Sequence, residues 1–447
     1  MSDILKGRLP LDLQRFAVAP NGGHPVANTG DYTNAYTGEH EAFDSQNTMS
    51  PQMKEWYNTE ALENARKNHY FTQFAKKIPL PENHGITVEM RKPNTFKDVP
   101  ELVEGVIPDG ENFGYSAIQA TVHEFGNYTP LGKRLTMHAI DPVAQDAAEE
   151  MGAAGGDKQD RIARDVAISG SNVMFAEKVT PATGEVPEVI VYPYYRGSLD
   201  ANFTLKSDTV NRAATWLKKH RAPKINGKYV AIIHPSVSYD LRKDKDWIEA
   251  HKYAQPGEIY NGEIGELHGV RFIESDQAKV YRGKNLASDS RTLTVNGAVS
   301  SGATTITFDG GTVAEHALKG RLLLLGDNGE IPVEVSDNTA TQITLKEAVA
   351  SAVADNAKIY PGEGGKKGVA VYACVFLGKD AFGMIDVSGG NMRLIVKTAE
   401  QVGGPLEQYG TVGVKFETGG GVLYEERLLR VECGSFYSNV DEDTDPE

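Results

Sequence analysis

The feature that most constrains the fold is a pair of alternating segments separated by a long loop. Ile86 and Val88 alternate with polar residues, and Ile118 and Val122 do the same further along the chain. A two-residue period is the pattern of β-strands. The loop between them has about 25 residues, whereas hairpin loops usually have two to five. We therefore expect an extended two-stranded hairpin within residues 85–135.

Such a hairpin needs a surface to lie on, because an isolated pair of strands is only marginally stable in water. Its strands reach roughly 25 Å at about 3.3 Å per residue, so we expect the tip to contact a second copy of the chain. The alternative is an ordinary hairpin with a Gly- and Pro-rich loop. Candidate contact residues at the tip are four apolar anchors and one carboxylate that would set the register, namely Leu102, Val103, Glu104, Val106 and Ile107.

The tip and the returning strand carry a pattern found in one protein family. Residues 102–110 read Leu-Val-Glu-Gly-Val-Ile-Pro-Asp-Gly, and the strand at 120–126 ends in Phe-Gly. This pattern resembles the major capsid proteins of tailed bacteriophages, in particular the Enquatrovirus-type family. The opening at 9–17, the Gly-Glu-Ile-Gly-containing stretch at 257–272 and the closing stretch at 378–431 are similar to the same proteins and follow in the same order.

The resemblance implies an α+β fold of the Hong Kong 97 type, with an N-terminal arm, an extended hairpin loop, a long spine helix, and peripheral and axial domains. It implies self-assembly, through pentamers and hexamers, into the icosahedral head shell of a phage or prophage that holds double-stranded DNA. Portal and scaffolding or decoration proteins are the further partners it implies, and DNA contact would be non-specific. The implied locations are the virion capsid and, during assembly, the host cytoplasm. Some relatives crosslink a hairpin lysine to a neighbour's asparagine, and Lys92 and Lys97 lie in this hairpin.

Composition agrees with a soluble assembly protein. The 447 residues include 46 basic and 61 acidic ones, for a net charge of −15, which argues against a protein that grips nucleic acid through its phosphates. The two cysteines, Cys374 and Cys433, lie in apolar stretches and are expected to be buried free thiols, with one disulfide as the alternative. We expect no signal peptide and no membrane span.

Helical patterns are predicted before and after the hairpin. Ser50-Pro51 is typical of a helix start, with Phe71 among the apolar residues that follow. A second apolar face runs over 143–173 and matches the spine helix, but Gly155 and Gly156 should kink or break it, so two separate helices are the alternative.

The next segments predict a helix, a buried strand and a turn. The helix covers 205–221, and the basic cluster at and beyond its end fits capping of the helix dipole better than a DNA contact. The buried strand at 229–233 leads into His234, Pro235 and Ser236, a turn and helix start. His234 invites a catalytic role, but no partner for it stands out in the sequence.

A small β domain is predicted within the chain. Five short apolar runs over 291–345 are separated by turn residues such as Asn296-Gly297, which predicts a barrel or sandwich. The Gly-rich flank at 361–368 is typical of a linker, and a buried strand at 369–377 resumes the parent domain. We therefore expect an insertion over 288–366 that is dispensable for the shell.

Enzyme motifs are not found. The phosphate-loop and G-x-S-x-G patterns are missing, and His40-Glu41 and His123-Glu124 lack the second histidine of a zinc site. We therefore predict no catalytic, cofactor-binding or metal-binding residues. The alternative functions are a surface or tail-associated adhesin whose β domain binds glycans and, third, a sheath or tube protein.

The chain divides into eight predicted segments. They are an N-terminal arm (1–48), a helical segment (49–84), the extended hairpin loop (85–135), the spine helix and peripheral domain (136–228), the first part of the axial domain (229–287), the inserted β-barrel or sandwich domain (288–366), the second part of the axial and peripheral domains (367–440) and a disordered acidic tail (441–447).

Overall fold

The computed structural model describes most of the chain, and its elements are named here in chain order. The described residues are 31–33, 40–42, 70–81, 85–93, 101, 113–138, 143–180, 189–251, 263–288, 290–326, 329, 331–402 and 406–443. The α-helices are α1 (Lys133–His138), α2 (Val143–Ile168), α3 (Ser207–Lys219), α4 (Pro235–Arg242), α5 (Lys245–His251) and α6 (Ala399–Val402).

The strands of the described residues are β1 (Asp31–Thr33), β2 (His40–Ala42), β3 (Lys76–Leu80), β4 (Thr87–Pro93), β5 (Tyr115–Thr121), β6 (His123–Gly132), β7 (Val173–Phe175), β8 (Lys178–Thr180), β9 (Val189–Val191), β10 (Tyr229–Ile233), β11 (Glu263–Leu267), β12 (Val270–Glu274), β13 (Val280–Tyr281), β14 (Leu293–Val295), β15 (Thr305–Asp309), β16 (Leu322–Leu325), β17 (Ile331–Asn338), β18 (Gln342–Leu345), β19 (Lys358–Pro361), β20 (Val371–Leu377), β21 (Phe382–Val387), β22 (Arg393–Lys397), β23 (Tyr409–Val422) and β24 (Leu428–Cys433).

Seven of the described strands form a mixed sheet that is covered on both faces. Its order is β11-β12-β10-β20-β24-β7, with β13 paired to β20. Tyr229 and Ala231 of β10 pack in the cluster that contains helix α3, whereas Val230 and Ile232 pack in the cluster that contains α2. Because both faces are buried, the strand is apolar at every position, as predicted for 229–233.

A second sheet has the order β22-β23-β21-β3, with β6 paired to β23. Its strand β3 runs parallel to β21, with Ile78 opposite Ile385. The helical prediction for 49–84 is therefore wrong at its end, where Phe71 is buried beside a short 3₁₀ turn and β3 follows. The predicted helix start at Ser50-Pro51 lies outside the described residues.

Helix α2 lies across both sheets and is continuous, so the predicted break at the glycine pair is wrong. An ideal Cβ on Gly155 would lie 2.7 Å from the Met392 sulfur and 3.2 Å from Val414 Cγ2. Gly155 therefore serves close packing of the helix on the second sheet. The predicted helical face extended too far, because Val173 belongs to β7.

The predicted small β domain is a closed barrel of six described strands, in the order β14-β15-β18-β17-β16-β19. Its interior is a separate apolar cluster that includes Leu293, Ile343 and Ile359. The sequence missed β19, which was assigned in part to a linker. The linker prediction is wrong at Gly365, because an ideal Cβ there would lie 2.5 Å from the Leu199 carbonyl oxygen. The glycines bring barrel and parent fold into close contact.

The described elements combine helices with largely antiparallel and mixed sheets, so the predicted α+β class is confirmed.

Candidate assembly surfaces

The predicted hairpin is confirmed for the pair β4 and β5, here called the arm, but the range 85–135 is too long, because 123–132 form β6 of the second sheet. The strands are antiparallel, from Thr87 opposite Thr121 to Pro93 opposite Tyr115. At the base of the arm Val88 and Ala120 pack with Ile385 of the second sheet. The base is therefore part of its own subunit's core.

From Ala120 back to Phe113, burial decreases toward the tip of the arm. Ala120 is only 4% exposed, Ile118 is half-buried, and Tyr115 and Phe113 are 60% and 53% exposed. The last two rings stack edge to face with centroids 4.9 Å apart. The distal arm thus presents an aromatic pair that its own subunit does not cover.

The predicted tip residues cannot be placed. Leu102, Val103, Glu104, Val106 and Ile107 lie outside the described residues, as does Lys97. The neighbouring Lys92 is described, and its Nζ lies 3.1 Å from Glu426 Oε2. This ion pair joins the distal half of β4 to the turn before β24.

Sequence reasoning missed two further exposed apolar groups. The first begins in β9 of the small hairpin of β8 and β9 and continues beyond it, and Tyr194 within it is 94% exposed. Its apolar run predicts a buried strand, so the exposure had no sequence signal. The first group is Val189, Ile190, Val191, Tyr192, Tyr194 and Tyr195, and the second is Tyr239, Ile248, Phe436, Tyr437 and Val440.

His234 has partners that the sequence did not reveal, but they are not those of a nucleophilic triad. Its Nδ1 accepts a hydrogen bond from the Ser236 backbone N–H at 3.2 Å, and burial lowers the pKa of the ring. The Ser236 hydroxyl donates instead to Asp441, 2.6 Å away, which also accepts from the Tyr372 hydroxyl at 2.7 Å. In a nucleophilic triad the serine hydroxyl is hydrogen-bonded to the histidine ring. This group of side chains joins α4, β20 and the C-terminal segment.

The described acidic residues at the C-terminus are bound to the fold, so the disordered-tail prediction is wrong for them. Asp443 forms ion pairs with Lys279 and with the fully buried Arg164, whose Nη1 lies 3.3 Å from Asp443 Oδ1. A carboxylate beside a buried guanidinium supplies the charge that burial would otherwise leave unpaired. Residues 444–447 lie outside the described residues.

The spine helix also fixes the chain before β3. Asp160 is fully buried and accepts hydrogen bonds from the backbone N–H groups of Phe71 (2.8 Å) and Thr72 (2.9 Å). Burial is the main cause that raises the pKa of Asp160 to about 6. The position of this segment on α2 is therefore set by a buried polar contact.

The prediction for the cysteines is confirmed, because Cys374 and Cys433 are buried free thiols with their sulfurs 3.7 Å apart. Lys218 and Lys219 lie in the last turn of α3. Among the described residues no group of His, Cys, Asp and Glu has the arrangement of a metal site. No helix in the described part of the chain is long and apolar enough to cross a membrane.

The chain is similar to phage capsid proteins in sequence pattern and in structure. A family model described as phage capsid protein matches residues 143–383. Structural comparison aligns the chain with the capsid of Ralstonia phage GP4, at 12% identity over 86% of this chain and 93% of that one, with a TM-score of 0.47. For the capsid of cyanophage Pam1 the identity is 11% over 92% and 100%, with a TM-score of 0.47. Comparison with curated protein sequences finds no match.

The family match runs from the first residue of α2 into β21 and contains the barrel. It spans more than half of the 447 residues. The chain belongs to the phage capsid protein family.

Proposed function

We propose that this capsid protein is the major subunit of an icosahedral head shell of a tailed phage or prophage. Its fold would be of the Hong Kong 97 type and its subgroup the Enquatrovirus type. The observation that carries the proposal is the gradient of burial along the arm, from Ala120 in the core to the exposed Phe113 and Tyr115. Its own subunit buries the base of the arm and contacts Lys92 through Glu426, but it leaves Phe113 and Tyr115 exposed. A strand pair exposed in this way is stabilised by a neighbouring surface.

The mechanism is association of identical subunits through many modest contacts. Pentamers and hexamers would form first, and each arm would reach onto the adjacent copy. Because each subunit both gives and receives an arm, closing the lattice multiplies the effect of each contact. Leu102, Val103, Val106 and Ile107 are the proposed anchors, each contributing about 1.5 to 3 kcal/mol if fully buried, and Glu104 would set the register through a basic partner.

The other proposed partners follow from the shell. Double-stranded DNA would be enclosed with non-specific contact only, since a chain of net charge −15 neutralises few phosphates and small cations would do so instead. Portal and scaffolding or decoration proteins would join during assembly in the host cytoplasm. We propose no enzymatic activity for this subunit. Ser236 and His234 do not form a nucleophilic pair, because the serine hydroxyl donates its hydrogen bond to Asp441. A lysine crosslink from Lys92 is not proposed, because that residue pairs with Glu426.

The surface of the barrel gives little support to the alternative function, an adhesin that binds glycans. Sugars are commonly bound on exposed aromatic rings, which present a large apolar face. Over 288–366 the Phe, Tyr or Trp residues of the sequence are Phe308 and Tyr360, and both are buried. The described barrel surface therefore lacks an aromatic platform.

The test is electron microscopy of the purified full-length protein in negative stain, together with sedimentation velocity. We expect closed shells, or capsomers that convert to shells as the concentration rises. A protein that stays monomeric under all conditions and binds a glycan array would overturn the proposal in favour of an adhesin.

A further inference from the structure

A cavity of about 650 Å³ lies where the barrel meets the seven-stranded sheet. Volumes of this size are typical of ligand sites. Five basic side chains line it, against three carboxylates, in a chain whose net charge is −15. The basic residues are Lys279, Arg282, Lys284, Arg291 and Arg321. The cavity is thus a local excess of positive charge on an acidic protein.

Two of the cations share one solvent-exposed carboxylate. Glu442 pairs with Arg282, Nη1 to Oε1 at 3.1 Å, and also with Arg291, although its side chain is 64% exposed. The side chains of Arg282 and Arg291 are only 18% and 19% exposed, so solvent reaches both ion pairs from the carboxylate side. Glu442 is therefore a solvent-accessible occupant that another anion can displace.

The remaining donors suit a ligand with more acceptor atoms than a carboxylate. The Nε of Arg282 is buried and has no hydrogen-bond partner among the described residues. Lys284 is exposed and lines the same cavity. Arg321 is already used, because it binds Glu363 at 3.1 and 3.2 Å and fixes the cavity wall. Guanidinium forks match the oxygens of a phosphoryl group in pairs.

We propose that this cavity binds a phosphoryl group, from a free oligophosphate or from a nucleic acid backbone, in place of Glu442 between Arg282 and Arg291. The site lies within one subunit, so it does not depend on the proposed shell. Glu442 is then a built-in competitor, and its removal should tighten binding.

The experiment titrates full-length protein with pyrophosphate, and separately with a short DNA duplex, by calorimetry at low salt. Glu442→Gln should bind at least about threefold more tightly than the parent, since the competing carboxylate is gone. Arg291→Gln should bind about tenfold more weakly and Lys284→Gln about threefold more weakly. Glu347→Gln and Arg393→Gln remove the same charges from exposed positions that do not line the cavity and should bind like the parent.

The pattern of variants decides the outcome. Binding of pyrophosphate with this order of affinities supports a free oligophosphate, and the same order with the duplex alone supports nucleic acid. Lys284→Gln keeps the test valid if Arg291→Gln fails to fold, because Lys284 is exposed. The proposal would be overturned if Glu442→Gln bound neither probe more tightly than the parent, or if the Arg393→Gln control weakened binding as much as Arg291→Gln.

Discussion

The barrel and the arm are both built from antiparallel strands, but they differ in whether their edge strands are paired. The barrel closes six described strands on themselves, so every edge is paired and residues such as Ile343 and Ile359 are fully buried. The arm has two strands, and neither outer edge is paired among the described residues. From Ala120 back to Phe113, its apolar side chains become more exposed with distance from the base.

The comparison shows that an alternation of apolar and polar residues predicts a strand but does not predict which part of the structure covers its apolar face. The same two-residue period predicted strands in both regions. Six strands enclose their own core, whereas two strands cannot, so the arm depends on surfaces outside itself. The barrel encloses its own apolar core, whereas the exposed end of the arm is the surface that we propose a neighbour covers.

The largest expected effect, on the yield of soluble protein, depends on which residues are deleted to remove the barrel. An ideal Cβ on Gly283 would lie 2.6 Å from Pro361 Cβ, so the chain enters and leaves the barrel at neighbouring points. Replacing 284–360 with a short Gly/Ser linker should keep the parent fold and its assembly. Replacing 288–366 also removes Gly365 from its contacts with Leu199, which exposes apolar core and should yield little soluble protein.

Size-exclusion chromatography and thermal unfolding of the two deletion variants check this difference. Loss of soluble protein in the shorter deletion would show that the barrel is integral to the parent fold. Equal solubility of both would show that the packed glycines at the junction matter little.

A second test compares matched isoleucines. Ile343→Ala empties part of the barrel core and should lower the free energy of barrel unfolding by about 2 to 5 kcal/mol. Ile118→Ala in the half-buried part of the arm should cost the dissociated subunit clearly less. Denaturant titration of both variants gives the two losses of unfolding free energy. Equal losses would contradict the claim that the barrel, unlike the arm, has a complete core of its own.

The third effect is small in the subunit and visible only in assembly. Changing Phe113 and Tyr115 to serine should alter the unfolding free energy of the dissociated subunit by no more than about 0.5 kcal/mol, because both rings are exposed. The concentration needed for shells should rise, as measured by light scattering. Leu322→Ser, an exposed position on the barrel, is the control. A rise of the same size in that control would remove the special role of the arm.

Much of the fold was predictable because local patterns determined it. The arm, the buried strand β10 and most barrel strands followed from alternation, apolar runs and turn residues. Gly155 could not be read correctly, since a glycine that permits close packing and one that breaks a helix look alike without the facing Met392. The acidic residues at 441–443 likewise looked unstructured, because their cationic partners, such as Arg164, are distant in sequence.

The candidate contact surfaces were predicted less well, for a physical reason. An apolar run such as Val189–Val191 looks the same whether its own subunit or a neighbour covers it. The sequence therefore identified the arm by its unusual length and missed the exposed group around Tyr194.

The most direct test of the account is electron microscopy of a variant in which residues 96–113 are replaced by an Asn-Gly turn. That change removes the proposed tip anchors and leaves the base of the arm, where Val88 and Ala120 pack. We predict that closed shells disappear while thermal unfolding of the dissociated subunit stays within about a few degrees of the parent. Normal shells from this variant would contradict the interlocking role of the arm, and a subunit that no longer folds would show that the tip belongs to its own core.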